Sequence, residues 1–388
     1  MAKRKVLIAV HQLNIGGVQK SLIPALNAID YTQNDVTLYV RKNRCDLLPL
    51  VNKNVSEVIV NKDKTKYYRK PYAVYLHIML KLYGLLKKDK SAVQKKLNNY
   101  IISQQMKYEK EHYFSDNKEY DVAVSYIQSH TAKFVCDNVN AKKKVMFFRG
   151  STDENHEMHM EIMKSFDSIY CVSCGSKEAL ARLYPIYEYK MRVIDTFVDY
   201  ESVIKKSTEY DVKKGKITLA SCGRITVVKG FDLAVEAAKI LKDKNIDFLW
   251  YFVGDGSCRS QIDDLINQYG LEDKIVITGL KENPYPYLES CDIYIQPSLE
   301  ESFGRTIKEA MILGKPVVST KTVGGCEQIT DKKNGVLTEI TSKSIADGIN
   351  TLLEDKELFM RIVDNLKSVD YSMEIDNYKQ KWKKLLEE

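Results

Sequence analysis

Two successive runs of short β-branched segments, separated by amphipathic stretches, constrain this chain more than any other feature. The first run reads KVLIAV, VQKSLIPALNAI, DVTLYV and VSEVIV, and resumes later with DVAVSY, KVMFF, SIYCV and RVID. The second reads KITLAS, FDLAVEAAKILKD, FLWYFVG, RSQIDDLINQYG, KIVITG, DIYIQP, TIKEAMILG and KPVVST. Strands that are apolar without alternation are buried on both faces, and the helices between them supply the cover. Each run therefore predicts a doubly wound parallel sheet. The polar, weakly patterned stretch 197–216 predicts the boundary between them. The expected class is α/β, with two Rossmann-like domains facing across a cleft. They divide as 1–199 and 200–371, and a last helix over 372–388 packs back on the N-terminal domain. A chain of 388 residues with 44% apolar content is long enough for two such cores.

Charge is informative because it is localised. The net charge is +7, yet residues 62–96 hold 11 Lys or Arg against Asp63 and Asp89, a local excess of +9 that leaves −2 elsewhere. A nucleic-acid-binding protein would spread positive charge over a folded face, so no nucleic-acid partner is expected. The basic segment reads instead as a helical insertion over about 62–115. Between 70 and 97 it sets Lys70, Lys81, Lys88 and Lys95 opposite Tyr72, Tyr75, Leu76, Met79, Leu82, Tyr83, Leu86, Val93 and Leu97. Such a helix either packs its apolar face on the N-terminal domain or lies on an anionic membrane surface. Tyr72 to Leu86 is too short and too interrupted to span a bilayer. The opening VLIAV gives way at once to His11, Gln12 and Asn14, so no secretory signal is read, and a cytoplasmic location is expected, with peripheral attachment to the inner membrane face as its extension. Eight scattered cysteines suit reduced, buried thiols, and the pair Cys171 and Cys174 lacks a second pair for a zinc site.

Ligands of doubly wound sheets sit at the carboxyl ends of the strands, and four stretches fall there. HQLNIGGVQKS places Gly16 and Gly17 between a strand and a helix, where backbone can approach an anion or sugar. It lacks the spacing of a Walker A loop. SCGRITVVKGF sets Arg224 and Lys229 around a short loop, two cations suited to a diphosphate. VGDGS brings Gly254 without completing GxGxxG, which disfavours a dinucleotide. Finally, LEESFGRTIKEA puts Glu301 in a loop and Glu309 in the following helix, so that both can face one cleft. That helix begins near Gly304, Arg305 and Thr306 and points its free N–H groups at the same place.

Arg224 to Lys229 with KGF, VGDGS, PSLEESFG…KEAMILGKPVVST and VGGCEQI…KNGVL resemble, in this order over about 217–337, the serial signatures of retaining glycosyltransferases of the GT-B fold, family 4. In the N-terminal domain the resemblance rests on Gly16-Gly17 and on the region 120–155. It implies that Glu309 takes the ribose hydroxyls of a nucleotide. Arg224 and Lys229 hold the diphosphate and stabilise the leaving group, and Glu301 lies near the sugar. Ser302, Phe303 and Gly304 supply backbone and orientation around that sugar. Relatives carry a histidine near the end of the strand matching VMFF, where this chain has Arg149. His130 and Arg149 are therefore both candidates for the contact to the transferred sugar or the acceptor. The implied donor is a UDP- or GDP-sugar and the implied acceptor a glycan or lipid-linked glycan, as in bacterial surface polysaccharide synthesis.

No Asp-x-Asp occurs anywhere in the chain, so no metal and no other cofactor is expected. HEMH places His156 and His159 one helical turn apart, and they read as two surface histidines. Two other classes share the fold. One is an inactive subunit that binds sugar or a partner enzyme. The other is a sugar-nucleotide epimerase or a phosphorylase, and the latter would need a pyridoxal phosphate lysine that does not stand out.

Overall fold

In the computed structural model, which describes residues 2–61, 90–114, 118–150 and 156–388, the two runs form two sheets. The first contains β1 (Arg4–Val10), β2 (Asn34–Val40), β3 (Glu57–Val60), β4 (Tyr120–Ser125), β5 (Ala141–Phe148), β6 (Ser168–Cys171) and β7 (Met191–Val193), in the order β3-β2-β1-β4-β5-β6-β7. The second contains β8 (Thr218–Cys222), β9 (Leu249–Val253), β10 (Ile275–Gly279), β11 (Ile293–Gln296), β12 (Val317–Thr320) and β13 (Val336–Thr338), in the order β10-β9-β8-β11-β12-β13. Their ladders are parallel. Burial follows the unbroken apolar runs: Val6 to Ala9 and Ile293 to Ile295 are inaccessible to solvent.

The strand order fixes where a ligand can sit. Each sheet reverses direction once, between β1 and β4 in the first and between β8 and β11 in the second. At such a switch point the connections leave in opposite directions and open a crevice beyond the strand ends. The loop after β1 carries Gly16 and leads into a helix that starts at Gly17, the loop after β8 carries Arg224, and the loop after β11 carries Glu301.

The chain leaves the first domain after β7 and returns to it at its end. Helix Glu374–Glu387 inserts Tyr378, Trp382, Leu385 and Leu386 into the core made by β1, β2, β4 and β5. Trp382 is fully buried and stacks on Phe147 with ring centroids 5.5 Å apart. An aromatic pair of this kind adds to the area it buries, so a segment distant in sequence completes the N-terminal core.

Several expectations need correction. The stretch 197–216 is not irregular throughout, because helix Tyr200–Ser207 starts on Asp199, whose carboxylate accepts from Ser202 N at 3.1 Å. It buries Val203 against Tyr285, too little apolar surface to show as a period. The cysteines are less buried than expected: Cys171 and Cys291 are buried, while Cys174 and Cys326 are exposed. His159 is not a surface residue, being 4% exposed with its ring edge-on to Phe148. Most of the basic amphipathic stretch, 62–89, lies outside the described residues. Helix Lys90–Tyr113, which follows it, buries Ile101, Gln105, Met106 and Glu109. Glu109 takes a bidentate pair from Arg41 at the end of β2, Nε at 2.8 Å and Nη2 at 3.0 Å. Among the described residues no helix is long and apolar enough to cross a membrane.

Candidate active site

Because β8 and β11 are neighbours, the residues that follow them converge. After Cys222 the chain passes Arg224 and makes a single 3-10 turn, Val227–Lys229, closed by Gly230 at φ 62°. A Cβ at Gly230 would stand 2.1 Å from the Pro297 carbonyl oxygen, so only glycine lets the two loops meet. The meeting sets Lys229 Nζ 2.5 Å from Glu301 Oε2, with 25% and 15% of the two side chains exposed. Ser298 Oγ and Gln296 Nε2 each lie 3.4 Å from the same oxygen. Gln296 is itself held on every side: it donates to Ser298 Oγ at 2.7 Å and accepts from Tyr294 OH at 2.8 Å and Thr306 Oγ1 at 2.9 Å. Glu301 is thus a fixed, charge-compensated carboxylate at the lip of the crevice. Arg224, in the loop after β8, is exposed, and its guanidinium has no hydrogen-bond or ion-pair partner among the described residues.

Glu309 does not face the cleft as openly as Glu301. It lies in helix Arg305–Ile312 and is 3% exposed. Its Oε1 accepts from Arg305 Nε at 2.8 Å and from Tyr285 OH at 3.2 Å. Helical geometry explains the first contact, since residues four apart share a face. Oε2 has no partner among the described residues and can still accept from a ligand. Burial, with the Glu309 charge second, pushes the Cys222 thiol up to about 12. Arg305 also lines a cavity of about 320 Å³ between the domains, together with Tyr285, Glu282, Lys20 and Ile15. That is room for part of a small ligand.

The other expected residues divide by role. Gly16 faces Arg224 across the cleft: a Cβ there would be 3.8 Å from Arg224 Nη2 and 2.6 Å from Gln19 Oε1. At Gly17 a Cβ would meet nothing within 4 Å, so its backbone is open. Gly254 is different. A Cβ at that position would stand 1.9 Å from the Gly223 carbonyl oxygen, so its lack of side chain serves the packing of two loops of the same domain. The Phe303 ring packs with Val198, Val203 and Tyr285. Ser302 bridges the domains, its hydroxyl donating to Arg149 O at 3.1 Å and its carbonyl accepting from Ser173 Oγ at 2.9 Å. Gly304 takes φ 75° and starts helix Arg305–Ile312, whose first N–H groups, at Arg305 and Thr306, have no helical carbonyl to bond.

On the N-terminal side Arg149 follows β5 and lies over the Tyr126 ring, 4.0 Å from its centroid, with Nε donating to Tyr126 O at 2.9 Å. Neither of its Nη groups has a partner among the described residues. His130 starts helix His130–Asn138, its carbonyl accepting from Arg41 at 2.6 Å. Burial, then the Arg41 and Lys42 charges, hold its imidazole below the ordinary value, which favours the neutral ring. Among the described residues no group of three His, Cys, Asp or Glu is gathered as a metal site. The residues that motif reading missed are the supports: Gln296, Tyr285, Glu327 and Gln328. Gln296 carries a local signal, a lone amide closing the apolar strand IYIQ, and Glu327 and Gln328 lie within the VGGCEQI stretch, whose pattern does not show which of its side chains are used.

Residues 203–369 match the family described as Glycosyl transferases group 1. Among curated proteins, the chain is 29% identical over 194 residues to the N-acetylgalactosamine-N,N'-diacetylbacillosaminyl-diphospho-undecaprenol 4-alpha-N-acetylgalactosaminyltransferase of Campylobacter jejuni, covering 50% of this chain and 52% of that protein. It is 26% identical over 219 residues to the lipopolysaccharide core biosynthesis glycosyltransferase LpsE of Rhizobium meliloti, covering 56% and 63%. The chain thus spans less than two thirds of the length of these relatives. Among solved structures, Anabaena Alr3699/HepE in complex with UDP-glucose superposes with TM-score 0.71 at 18% identity, over 98% of this chain and 99% of the other. TarM superposes with TM-score 0.73 at 14% identity, over 100% and 99%. The fold is therefore GT-B: two Rossmann-like domains facing across a cleft.

Proposed function

We propose that this protein is a retaining glycosyltransferase that moves a sugar from a nucleoside-diphosphate sugar to a glycan or lipid-linked acceptor. The observation that carries the proposal is the convergence at the β8/β11 switch point of an unpartnered guanidinium, an ammonium–carboxylate pair and a helix N-terminus. An ammonium has three donors, so Lys229 can keep Glu301 and still give two to a diphosphate. Arg224 supplies a planar fork from the other side. Departure of the nucleoside diphosphate concentrates negative charge on its oxygens. Fixed cations and free N–H groups stabilise that charge more in the transition state than in the ground state. Glu309 Oε2 is the acceptor offered to the ribose, and Arg149 and His130 are the candidates on the N-terminal domain for contact to the transferred sugar or the acceptor.

UDP is the preferred reading for the nucleotide, supported by the UDP-glucose complex of the Anabaena protein. A lipid-linked acceptor is supported by the name of the Campylobacter relative, and with it a cytoplasmic enzyme working at the membrane face in envelope or surface glycan synthesis. The protein's own cations take the place that a metal would fill, so none is required. Given retention, a Glu301 carboxylate already engaged by Lys229, Gln296 and Ser298 is a poor nucleophile, which favours a front-face route over a glycosyl-enzyme intermediate. In the reaction proposed, the acceptor oxygen bonds to the anomeric carbon as the bond to the diphosphate breaks on the same face, and the acceptor proton passes to the diphosphate.

The test is transfer from a panel of UDP-sugars to lipid-linked glycans in excess EDTA, with the product anomer read by proton NMR. Product of unchanged anomeric configuration, formed at an undiminished rate, is expected. An inverted product, or activity that returns only with Mn²⁺ or Mg²⁺, would overturn the corresponding part of the proposal.

A further inference from the structure

A second contact between the domains lies beside the site and reaches it through one short helix. From helix Val323–Gln328, the Glu327 carboxylate crosses to the N-terminal domain. It accepts from Cys174 N at 2.7 Å and from Gly175 N at 2.9 Å, the first N–H groups of helix Cys174–Leu183. A carboxylate across a helix N-terminus meets both the unsatisfied donors and the positive end of the dipole. The approach needs Gly175, because a Cβ there would stand 2.8 Å from Val323 Cγ1 and 3.1 Å from Glu327 Oε2.

The same short helix grips the loop that carries Glu301. Gly324 N donates to Glu301 O at 2.8 Å, and Gln328 Nε2 donates to Phe303 O and, at 3.2 Å, to Gly304 O. Gly324 also lacks room for a side chain, since a Cβ would be 2.5 Å from the Phe303 backbone. One face of this helix therefore fixes the backbone of Glu301 to Gly304 and another binds the N-terminal domain. Ser302, inside that loop, bonds the N-terminal domain directly through Ser173 and Arg149.

We infer that Glu327 is a positioning residue that couples closure of the two domains to the placement of the Glu301–Gly304 loop. The inference rests on the transferase reading of that loop. When the domains part, Glu327 and the N–H groups of Cys174 and Gly175 lose one another, and so do Ser302 and its two partners. The loop then keeps only the contacts within its own domain. Closure supplies the missing ones at the moment when donor and acceptor share the cleft. Nucleotide binding, which uses residues of the C-terminal domain, does not need the contact, whereas transfer does.

The test uses the full chain with Glu327→Ala, Glu327→Gln and Gly175→Ala. Three readouts are compared: UDP affinity by calorimetry, kcat for transfer, and the radius of gyration by X-ray scattering with UDP present. Glu327→Ala is expected to lower kcat by roughly threefold to thirtyfold, the range of losing a helix cap and its dipole contact, with UDP affinity unchanged and the scattering shifted to a wider form. Glu327→Gln, which retains one acceptor oxygen, should recover part of kcat. Gly175→Ala should reproduce the Glu327→Ala result without touching the carboxylate. Wild-type kcat and scattering in Glu327→Ala, or a fall in UDP affinity that parallels a fall in melting temperature, would overturn the inference. If the wild type transfers no sugar, the transferase reading fails alone, and the scattering comparison still decides whether Glu327 holds the domains together.

Discussion

Lys229→Ala is expected to lower transfer by about two to three orders of magnitude, the range seen when one preorganised donor to a developing oxyanion is removed. The ammonium sits between two negative groups, the Glu301 carboxylate at 2.5 Å and the site proposed for the diphosphate. Removing it deprives the leaving group of a cation and leaves Glu301 to repel the same phosphate, so both effects act in one direction. The fold should survive, because the Lys229 side chain is one-quarter exposed and belongs to neither core. Initial rates with a UDP-sugar and a far-ultraviolet melting curve measured side by side check this. A variant that melts with the wild type and turns over at its rate would remove Lys229 from the mechanism.

A second large effect is expected at Glu309, and there it falls on stability as well as activity. The sequence pattern suggests a cleft carboxylate that alanine could replace without structural cost. The structure buries it against Arg305 and Tyr285, with 4% and 14% of the Glu309 and Arg305 side chains exposed. Glu309→Ala would leave the Arg305 guanidinium without its counter-charge in a place almost closed to water. Breaking a buried pair in this way costs about 3–5 kcal/mol. Glu309→Gln keeps an oxygen for Arg305 Nε and Tyr285 OH, so it should unfold at a higher urea concentration than the alanine variant. Its UDP affinity should still fall, because the amide replaces the oxygen offered to the ribose with a donor. Equal urea midpoints for Glu309→Ala and wild type would show that the pair does not hold the helix.

The contrast between the two glutamates shows what can be read from a sequence of this kind. The strands were legible because unbroken Val, Ile and Phe runs have only one economical burial, between two layers of helices. The convergence of Arg224, Lys229 and Glu301 was legible for a related reason: each follows a strand, and parallel strands deliver their ends to one edge. What could not be read is how side chains pair once they arrive. The Arg305–Glu309 contact is a four-residue spacing that also occurs on exposed helix faces, where it signifies little. Lys229 meets Glu301 across 72 residues of chain, and nothing local marks the partnership. Glycine after a strand has two uses, close approach of a substrate and close approach of the chain's own backbone, and at Gly254 the structure shows the second, against Gly223. The burial of His159 and the exposure of Cys174 and Cys326 depend on helix orientation, which short, mixed segments do not reveal.

The central claim is that the β8/β11 switch point is a nucleoside-diphosphate site built from the protein's own cations. Calorimetric titration of the full chain with UDP, in EDTA, measures this most directly when wild type and Arg224→Ala are compared. Arg224 is exposed and unpartnered, so its loss should not disturb folding and should appear only in binding. The account predicts one-to-one binding of UDP to the wild type without metal, weakened by about tenfold or more in Arg224→Ala, the loss of one charge-assisted bidentate contact. Failure of the wild type to bind either UDP or GDP in EDTA, or equal affinity in the two proteins, would contradict it.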